Sequence, residues 1–188
     1  MASTIPPEWA VLSKQEVFDG SPWLRVFAEK LRLPDGREIE GFYRLDMPDY
    51  AVIFATVGDR ILVQRNYKHG PARVGLHLPA GYLEPDEEPL AAAQRELLEE
   101  TGFVSDTWAL LGTFVNDGNR GAGKAHLFRA KNARQIAPAT SDDLEEAETM
   151  LISLSDLRQA LVRGDVPLLS VVATIALAAL DDCAESVS

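Results

Sequence analysis

Residues 81–103 read GYLEPDEEPLAAAQRELLEETGF, and this stretch decides the fold. Its second half predicts a helix, because a proline suits the first turn, alanine and leucine fill the interior, and Gly102 supplies the stop. On that helix Glu96, Glu99 and Glu100 project from one side. Like charges at this spacing repel each other. Helix stability alone therefore does not favour the arrangement.

Two interpretations of the three glutamates are open, a solvated acidic face and a metal site. Charges four residues apart on a helix are mostly surface features. Hard divalent cations, however, prefer oxygen ligands, and Mg²⁺ takes one or two carboxylates while it keeps waters and substrate phosphates. Arg95 could pair with Glu87 or Glu99 and hold their orientation. The cluster is thus a candidate magnesium site.

The spacing of the surrounding residues favours the metal site. Five residues separate Gly81 from Glu87, seven more lead to Arg95, and the three glutamates and Gly102 follow in fixed order. This pattern resembles the Nudix box, the signature of the Nudix hydrolases.

The resemblance implies a fold and a reaction. The expected fold class is α+β: a Nudix α/β/α sandwich around a mixed β-sheet, with an N-terminal antiparallel β-hairpin extension. The expected reaction is hydrolysis of a nucleoside diphosphate linked to another group, with Mg²⁺ as the cofactor and Mn²⁺ as an alternative. Such metals activate water and neutralise charge on phosphate oxygens.

Individual roles carry over by position in the box. Glu96, Glu99 and Glu100 are expected to bind the metal, and the backbone carbonyl of Ala80 often completes the shell. Glu99 is also counted among the catalytic residues. The positions that the resemblance marks as structural are Gly81, Glu87, Arg95 and Gly102.

The segment before the box indicates a branch of the family. Residues 65–81, RNYKHGPARVGLHLPAG, look most like the ADP-ribose and nucleotide-sugar pyrophosphatases. In that branch a basic and aromatic pair follows a core strand, here Tyr67 and Lys68, and LPAG precedes the box. Two positions depart from the pattern: His77 stands where glutamate is common, and VNDGNRGAGKAH replaces a proline-glycine turn. Both departures affect substrate recognition rather than the metals.

The same branch has an N-terminal β segment that swaps between the subunits of a dimer and stacks aromatic residues on adenine. Trp23 matches one such aromatic, and Phe42 or Tyr43 matches the second. Alternatively, each aromatic packs on its own sheet. The predicted substrate-binding residues are Trp23, Tyr43, Arg65, Lys68, His77 and Arg120.

In the branch that this chain resembles, a glutamate on a loop after the box often activates the water or adds a metal ligand, and residues 141–154, SDDLEEAETMLISL, occupy that place. Glu145 is the first candidate, followed by Asp143 and Glu146, with a solvated acidic loop as the alternative. Three histidines, His69, His77 and His126, could each serve as a base, but a lone histidine is more often structural.

Residues 118–124, GNRGAGK, match part of the phosphate-binding P-loop motif. Ala125 replaces the Ser or Thr of that motif, and the following residues alternate like a strand instead of opening a helix. A true P-loop is therefore rejected. The remaining alternatives are a flexible loop that brings Arg120 and Lys124 near the distal phosphate or sugar, and a plain surface loop.

The rest of the chain predicts one domain over residues 1–188. Residues 1–47 form the N-terminal β extension, 48–155 the catalytic core with the box at 81–103, and 156–182 the C-terminal helices. Hairpins are expected around Pro34-Asp35-Gly36 and around Gly58, and Ser155 is the expected N-cap of the first closing helix.

Composition limits the partners. The net charge of −11 and pI near 4.7 disfavour nucleic acid. A single cysteine excludes an internal disulfide framework, and the longest apolar tract, 166–180, is shorter than the roughly twenty residues that a bilayer requires. No signal peptide is evident. We therefore expect a cytoplasmic protein that contacts neither nucleic acid nor membrane. The family resemblance and the N-terminal hairpin imply a homodimer, and the resemblance implies a small-molecule nucleoside diphosphate substrate.

The predicted function is metal-dependent cleavage of ADP-ribose, or a related nucleotide sugar, to a nucleoside monophosphate and a sugar phosphate. Three alternatives stay open: cleavage of dinucleoside polyphosphates, removal of damaged nucleotides, and a noncatalytic Nudix module that only binds a nucleotide.

Overall fold

The computed structural model describes residues 8–140 and 147–185. The chain divides into two compact units, which are described separately. Unit 1 contains Met1–Pro48 and Val115–Lys124, and unit 2 contains Asp49–Phe114 and Ala125–Ser188.

Unit 1 is built on three antiparallel strands, β1 (Ala10–Gly20), β2 (Leu24–Arg32) and β3 (Glu38–Asp46), in the order β1-β2-β3. The predicted hairpin is confirmed as β2 and β3. Strand β1 was not predicted, because its apolar and polar residues are exposed on both faces and show no buried alternation. The N-terminal extension therefore has one strand more than expected.

Unit 2 contains the mixed sheet. Its strands are β4 (Tyr50–Val57), β5 (Arg60–Lys68), β6 (Arg73–His77), β7 (Ala80–Tyr82), β8 (Phe103–Val104), β11 (Arg134–Gln135), β12 (Glu148–Ser153) and most of β9 (Thr107–Asp117) and β10 (Gly121–Lys131). Strand β10 runs parallel to β4, whereas β5 and β7 pair with β4 in the antiparallel sense. Strand β12 pairs antiparallel with β5. The mixed sheet is as predicted.

Three helices follow the predicted order: α1 (Pro89–Thr101), α2 (Leu154–Arg163) and α3 (Leu169–Glu185). The residue after α1, Gly102, has φ 75°, so glycine ends this helix in the left-handed conformation as expected. The N-cap prediction for α2 was wrong by two residues. Ser153, not Ser155, accepts a 3.1 Å hydrogen bond from the Asp156 amide, because β12 continues directly into the helix.

Alternation along β4 divides the core of unit 2 into two layers. Val52 and Phe54 belong to the cluster that contains residues of α2 and α3. Ala51 and Ile53 belong to the cluster that contains Leu97 of α1. Helices therefore cover both faces of the sheet, which confirms the predicted α/β/α sandwich. In the described part of the chain, no helix has the length and apolar character needed to cross a membrane.

Candidate active site

Helix α1 presents the three glutamates beside strand β7. Ala93 and Leu97 are fully buried against the sheet, and this burial sets the rotation of the helix. The Oε2 atom of Glu100 accepts a 2.9 Å hydrogen bond from the Ala80 amide. The last turn of the helix is thereby tied to the residue just before the box.

The carboxylate of Glu96 packs directly on Gly81. A Cβ atom placed at Gly81 would overlap both carboxylate oxygens of Glu96. A side chain at Gly81 would therefore displace the Glu96 carboxylate from its place beside β7. The structural role that the family resemblance gives to Gly81 stays a prediction.

Arg95 binds the acidic cluster through all three of its guanidinium nitrogens. Nε and Nη2 each donate to Glu87 at 2.9 Å, and Nη1 donates to Glu96 at 2.7 Å and to Glu99 at 3.1 Å. Nη2 also donates to the carbonyl of Tyr82 at 3.0 Å. The sequence predicted pairing with Glu87 or Glu99; the structure shows both and adds Glu96.

This ion pair is only partly exposed, with 24% of the Arg95 side chain and 15% of the Glu87 side chain accessible. Hydrogen bonds from Arg95 hold the pKa of Glu87 below its usual value, against the opposing effect of burial. The hydrogen bond to Glu87, with those to Glu96 and Glu99, raises the pKa of Arg95 further above its already high value. Both groups are thus charged at neutral pH.

The residues around β7 fit a hard divalent cation by their chemistry. The Glu96 carboxylate packs on Gly81, and the Glu100 carboxylate accepts a hydrogen bond from the amide of Ala80. Both carboxylates, whose oxygens are the ligands that such a cation prefers, therefore lie beside strand β7. Within residues 8–140 and 147–185, however, no three His, Cys, Asp or Glu side chains form a ready-made metal cluster. In the structure Arg95 binds Glu96 and Glu99, while Glu100 binds the Ala80 amide. The ligand assignments therefore stay predictions.

The carboxyl end of α1 is held by a distant segment. The carbonyl of Gly102 accepts hydrogen bonds from the amides of Ile136 and Ala137 at 2.9 and 3.3 Å, and the Glu99 carbonyl accepts one from Thr140 at 2.8 Å. These bonds satisfy carbonyls that a helix end leaves unpaired. The sequence analysis missed this anchor, since no local signal connects residues so far apart in the chain.

Comparison with known proteins places this geometry in a family. The model of the NUDIX domain matches residues 47–171. The chain belongs to the Nudix family of hydrolases.

Relatives of this Nudix hydrolase agree with the predicted branch. It is 26% identical over 150 residues to the ADP-ribose pyrophosphatase of Bacillus subtilis (strain 168), covering 79% of this chain and 80% of that protein. It is 26% identical over 139 residues to the methanol dehydrogenase activator of Bacillus methanolicus, covering 74% and 75%. The crystal structure of an ADP compounds hydrolase has the same fold, with a TM-score of 0.81, 20% identity, and coverage of 94% and 95%.

The candidate bases of this Nudix hydrolase, Asp143, Glu145 and Glu146, lie outside the described residues. Their assignment stays a prediction.

In unit 2, the predicted substrate-binding residues occupy two kinds of position. Arg65 is exposed on β5 and Lys68 is partly exposed at the end of that strand. His77 is only 3% exposed and pairs with Gln64 across β5 and β6, so it lies within the core. Little of its surface is available to a substrate, and its role stays a prediction.

In unit 1, Trp23 and Tyr43 are 61% and 53% exposed, whereas Phe42 packs edge-on against Trp9 with ring centroids 6.1 Å apart. Arg120 lies in the turn between β9 and β10, where its amide donates to Asp117 at 2.6 Å. Lys124 lies within strand β10, so the rejection of a P-loop is confirmed.

One polar cluster of unit 2 was not recognised from the sequence. The Thr113 hydroxyl lies 3.0 Å from Nδ1 of His126, and Nε2 of the same ring lies 3.4 Å from Oδ2 of Asp49. The sequence marked His126 only as one of three isolated histidines. Its two partners come from β9 and from the residue before β4, too far along the chain for spacing to reveal them.

Proposed function

We propose that this Nudix hydrolase cleaves the pyrophosphate bond of a nucleoside diphosphate derivative. The preferred substrate is ADP-ribose or a related nucleotide sugar, and the products are a nucleoside monophosphate and a sugar phosphate. The proposal rests on one observation, the glutamate cluster beside β7. Glu96 packs on Gly81 and Glu100 binds the Ala80 amide, and Arg95 donates a hydrogen bond to Glu96. The similarity to an ADP-ribose pyrophosphatase supports the choice of substrate.

The proposed cofactor is Mg²⁺, with Mn²⁺ as an alternative, in keeping with the general use of divalent metals by Nudix hydrolases. Glu96, Glu99, Glu100 and the carbonyl of Ala80 would hold it. When bound, the metal supplies an activated water and neutralises charge on the phosphate oxygens. The oxygen-only donor set is the one that Mg²⁺ and Mn²⁺ prefer.

Three other residues of the box, Glu87, Arg95 and Gly81, hold the glutamates in position. Arg95 orients Glu96 and Glu99 by direct hydrogen bonds, and Glu87 fixes the guanidinium plane from the other side. Gly81 leaves the space that the Glu96 carboxylate occupies. Glu145, or Asp143 or Glu146 in its place, is the proposed base that takes the proton of the attacking water.

The proposed phosphate contacts come from the end of β5, the loop that follows it and the start of β6. Residues 65–73 contain Arg65, Lys68 and Arg73 and no acidic residue, in a chain whose net charge is −11. Local positive charge of this kind attracts a diphosphate that the rest of the surface repels. Trp23 and Tyr43 are the proposed stacking partners of the adenine, and His77 and Arg120 the proposed contacts to the remainder of the substrate.

The proposed protein partner is a second copy of the chain, bound through unit 1. Strand β1 is an edge strand of eleven residues, and Trp9, Val11, Val17 and Phe18 on or beside it are about half exposed. Long apolar edge strands pair with another chain unless they are covered. Light scattering should give twice the chain mass of 20.6 kDa. The double variant Val11→Lys, Val17→Lys should be monomeric, and a monomeric wild type would contradict the proposal.

A substrate panel tests the proposed reaction. ADP-ribose, a GDP-sugar and a dinucleoside tetraphosphate are incubated with the protein and Mg²⁺, and the products are separated by chromatography. AMP and ribose 5-phosphate are the expected products. Glu96→Gln should lower kcat by at least about a hundredfold. The control Glu88→Gln, on an exposed residue just before α1, should change kcat little. Rapid turnover of another substrate with none of ADP-ribose would overturn the substrate assignment.

A second candidate function is regulation of another enzyme by a noncatalytic Nudix module. The similarity to a methanol dehydrogenase activator supports the regulatory part of this candidate, at the same 26% identity as to the pyrophosphatase. Equal rates for wild type and Glu96→Gln on every substrate of the panel would support this candidate. Loss of turnover in Glu96→Gln would support catalysis.

A further inference from the structure

Thr113, His126 and Asp49 form a chain of polar contacts, here called the Thr113 relay. The Thr113 hydroxyl lies 3.0 Å from Nδ1 of His126, whose Nε2 lies 3.4 Å from the Asp49 carboxylate. The His126 side chain is 12% exposed and that of Asp49 is 33% exposed, while Thr113 is exposed. The middle of the relay, His126, is therefore largely enclosed, while Thr113 at one end reaches the surface.

For a neutral His126 ring, hydrogen-bonding chemistry assigns the protons of the Thr113 relay. A carboxylate can only accept a hydrogen bond, so the proton of a neutral His126 ring sits on Nε2 and points to Asp49. Nδ1 is then an acceptor, and the Thr113 hydroxyl must donate its single proton to it. What Thr113 offers to a ligand is consequently an oxygen acceptor and not a donor.

Strand register places the relay on the same face of the sheet as the glutamate cluster. His126 is the partner of Ala51 in β10 and β4, and Ala51 is the partner of Gly81 in β4 and β7. Registered partners project to the same side of a sheet, and two strand spacings amount to about 10 Å. Glu96 packs on that side of Gly81. The relay thus lies within the length of a nucleoside diphosphate derivative from the candidate metal ligands.

We propose that the Thr113 relay recognises a sugar hydroxyl in the part of the substrate beyond the pyrophosphate. A sugar hydroxyl can donate to the Thr113 oxygen, whereas an ionised phosphate has only acceptors and is repelled by Asp49. The relay therefore selects nucleotide sugars over nucleotides that end in phosphate. This inference rests on the proposed function, since it assigns the specificity of the same site.

Thr113→Val tests the relay, because valine keeps the shape and removes the hydroxyl. KM for ADP-ribose should rise about three- to tenfold, the effect of one hydrogen bond, with kcat nearly unchanged. The inhibition constant of ADP, which lacks the second sugar, should stay the same. The control is Thr107→Val, the same change at another exposed position of β9. An unchanged KM for ADP-ribose, or an equal rise in the ADP inhibition constant, would overturn the inference.

The proton arrangement is tested independently of turnover. Nitrogen NMR of the histidine rings at high pH should show the Nε2–H form for His126 in the wild type, and the Nδ1–H form would overturn the inference. Asp49→Asn can donate to Nε2, so the Nδ1–H form becomes available and Thr113 becomes a donor. That variant should lose affinity for ADP-ribose relative to ADP, because Thr113 no longer only accepts from the sugar hydroxyl; an unaltered ratio of the two affinities would overturn the inference.

The two proposals fail in different ways. A wild type that hydrolyses no nucleotide sugar overturns the proposed function and this inference with it. If the wild type hydrolyses ADP-ribose and Thr113→Val leaves the KM for ADP-ribose unchanged, only the inference about the Thr113 relay is overturned.

Discussion

The carboxylate of Glu96 occupies the space where a side chain at Gly81 would begin. The contact joins the first glycine of the Nudix box to its first metal-ligand candidate, although fourteen residues lie between them in sequence. Position along α1 alone therefore does not determine where this carboxylate points. Strand β7 determines it as well.

Gly81→Ala should displace Glu96 and lower kcat at least about tenfold, because even small misplacement of catalytic groups is costly. Steady-state kinetics on the wild-type substrate would measure this. Gly70→Ala is the matched control, since a Cβ at Gly70 meets nothing within 4 Å. Equal activity of the two variants would show that Glu96 can move without consequence.

Arg95→Lys should lower both activity and stability. Lysine cannot bind Glu87 through two nitrogens and also reach Glu96 and Glu99. Because Glu87 is only 15% exposed, we expect a loss of about 1–3 kcal/mol in urea unfolding. Arg134→Lys breaks a comparable but exposed pair with Asp106 and should cost less than about 1 kcal/mol. Similar losses in the two variants would contradict the role given to Arg95.

Gly102→Ala should destabilise the protein more than Gly164→Ala. Both glycines end helices, with φ of 75° and 76°, so both variants carry the left-handed penalty of roughly 1–2 kcal/mol. A Cβ at Gly102 would additionally overlap the carbonyl oxygen of Ala137, whereas one at Gly164 meets nothing within 4 Å. Chemical denaturation should resolve a difference of at least about 1 kcal/mol. Identical values would mean that the segment around Ala137 moves aside freely.

Ser153→Ala should lower the free energy of unfolding by about 1 kcal/mol, the usual effect of losing an N-cap, with Tm falling by about 2–4 °C. The Ser153 hydroxyl accepts from the Asp156 amide and donates to the Asp156 carboxylate at 2.6 Å. Ser155→Ala, one residue inside the helix, should change Tm little. A larger fall of Tm in Ser155→Ala than in Ser153→Ala would show that Ser155 is the N-cap, as the sequence predicted.

Asp156→Asn should remove an acid-dependent part of stability. Hydrogen bonds from the Ser153 hydroxyl and amide lower the pKa of Asp156 from its ordinary value of 3.8. The folded state therefore favours the charged form, and this stabilisation is present above pH 3.8 and disappears as the pH falls through the lower folded value. The Tm difference between wild type and variant should be constant from about pH 5 to 7 and shrink below pH 4. A difference that persists unchanged to pH 2.5 would contradict the assignment.

The sequence predicted those features whose signals are local. Helix α1 begins at Pro89 and ends before Gly102 because proline and glycine have strong conformational preferences of their own. The hairpin of β2 and β3 was predicted from two strand-like runs around the turn Pro34-Asp35-Gly36. Strand β1 was not, because no buried face imposes a pattern on it.

Features that depend on distant residues could not be predicted from spacing. The bonds from Ile136 and Thr140 to the end of α1 require the chain to return after more than thirty residues. The Thr113 relay joins three strand-associated residues in the same way. The N-cap of α2 was misplaced because both serines suit a cap, and only the continuous path from β12 selects Ser153.

The return of the chain to Gly102 has a consequence for how such a protein can diverge. The segment from Phe103 to Gln135 begins and ends beside the Gly102 carbonyl, and residues 118–120 form the turn between its two long strands, β9 and β10. Insertions or deletions confined to that turn would leave the closing hydrogen bonds and the end of α1 unchanged. If the turn contacts the substrate through Arg120, as proposed, substrate preference can change with loop length while the glutamate cluster is inherited intact.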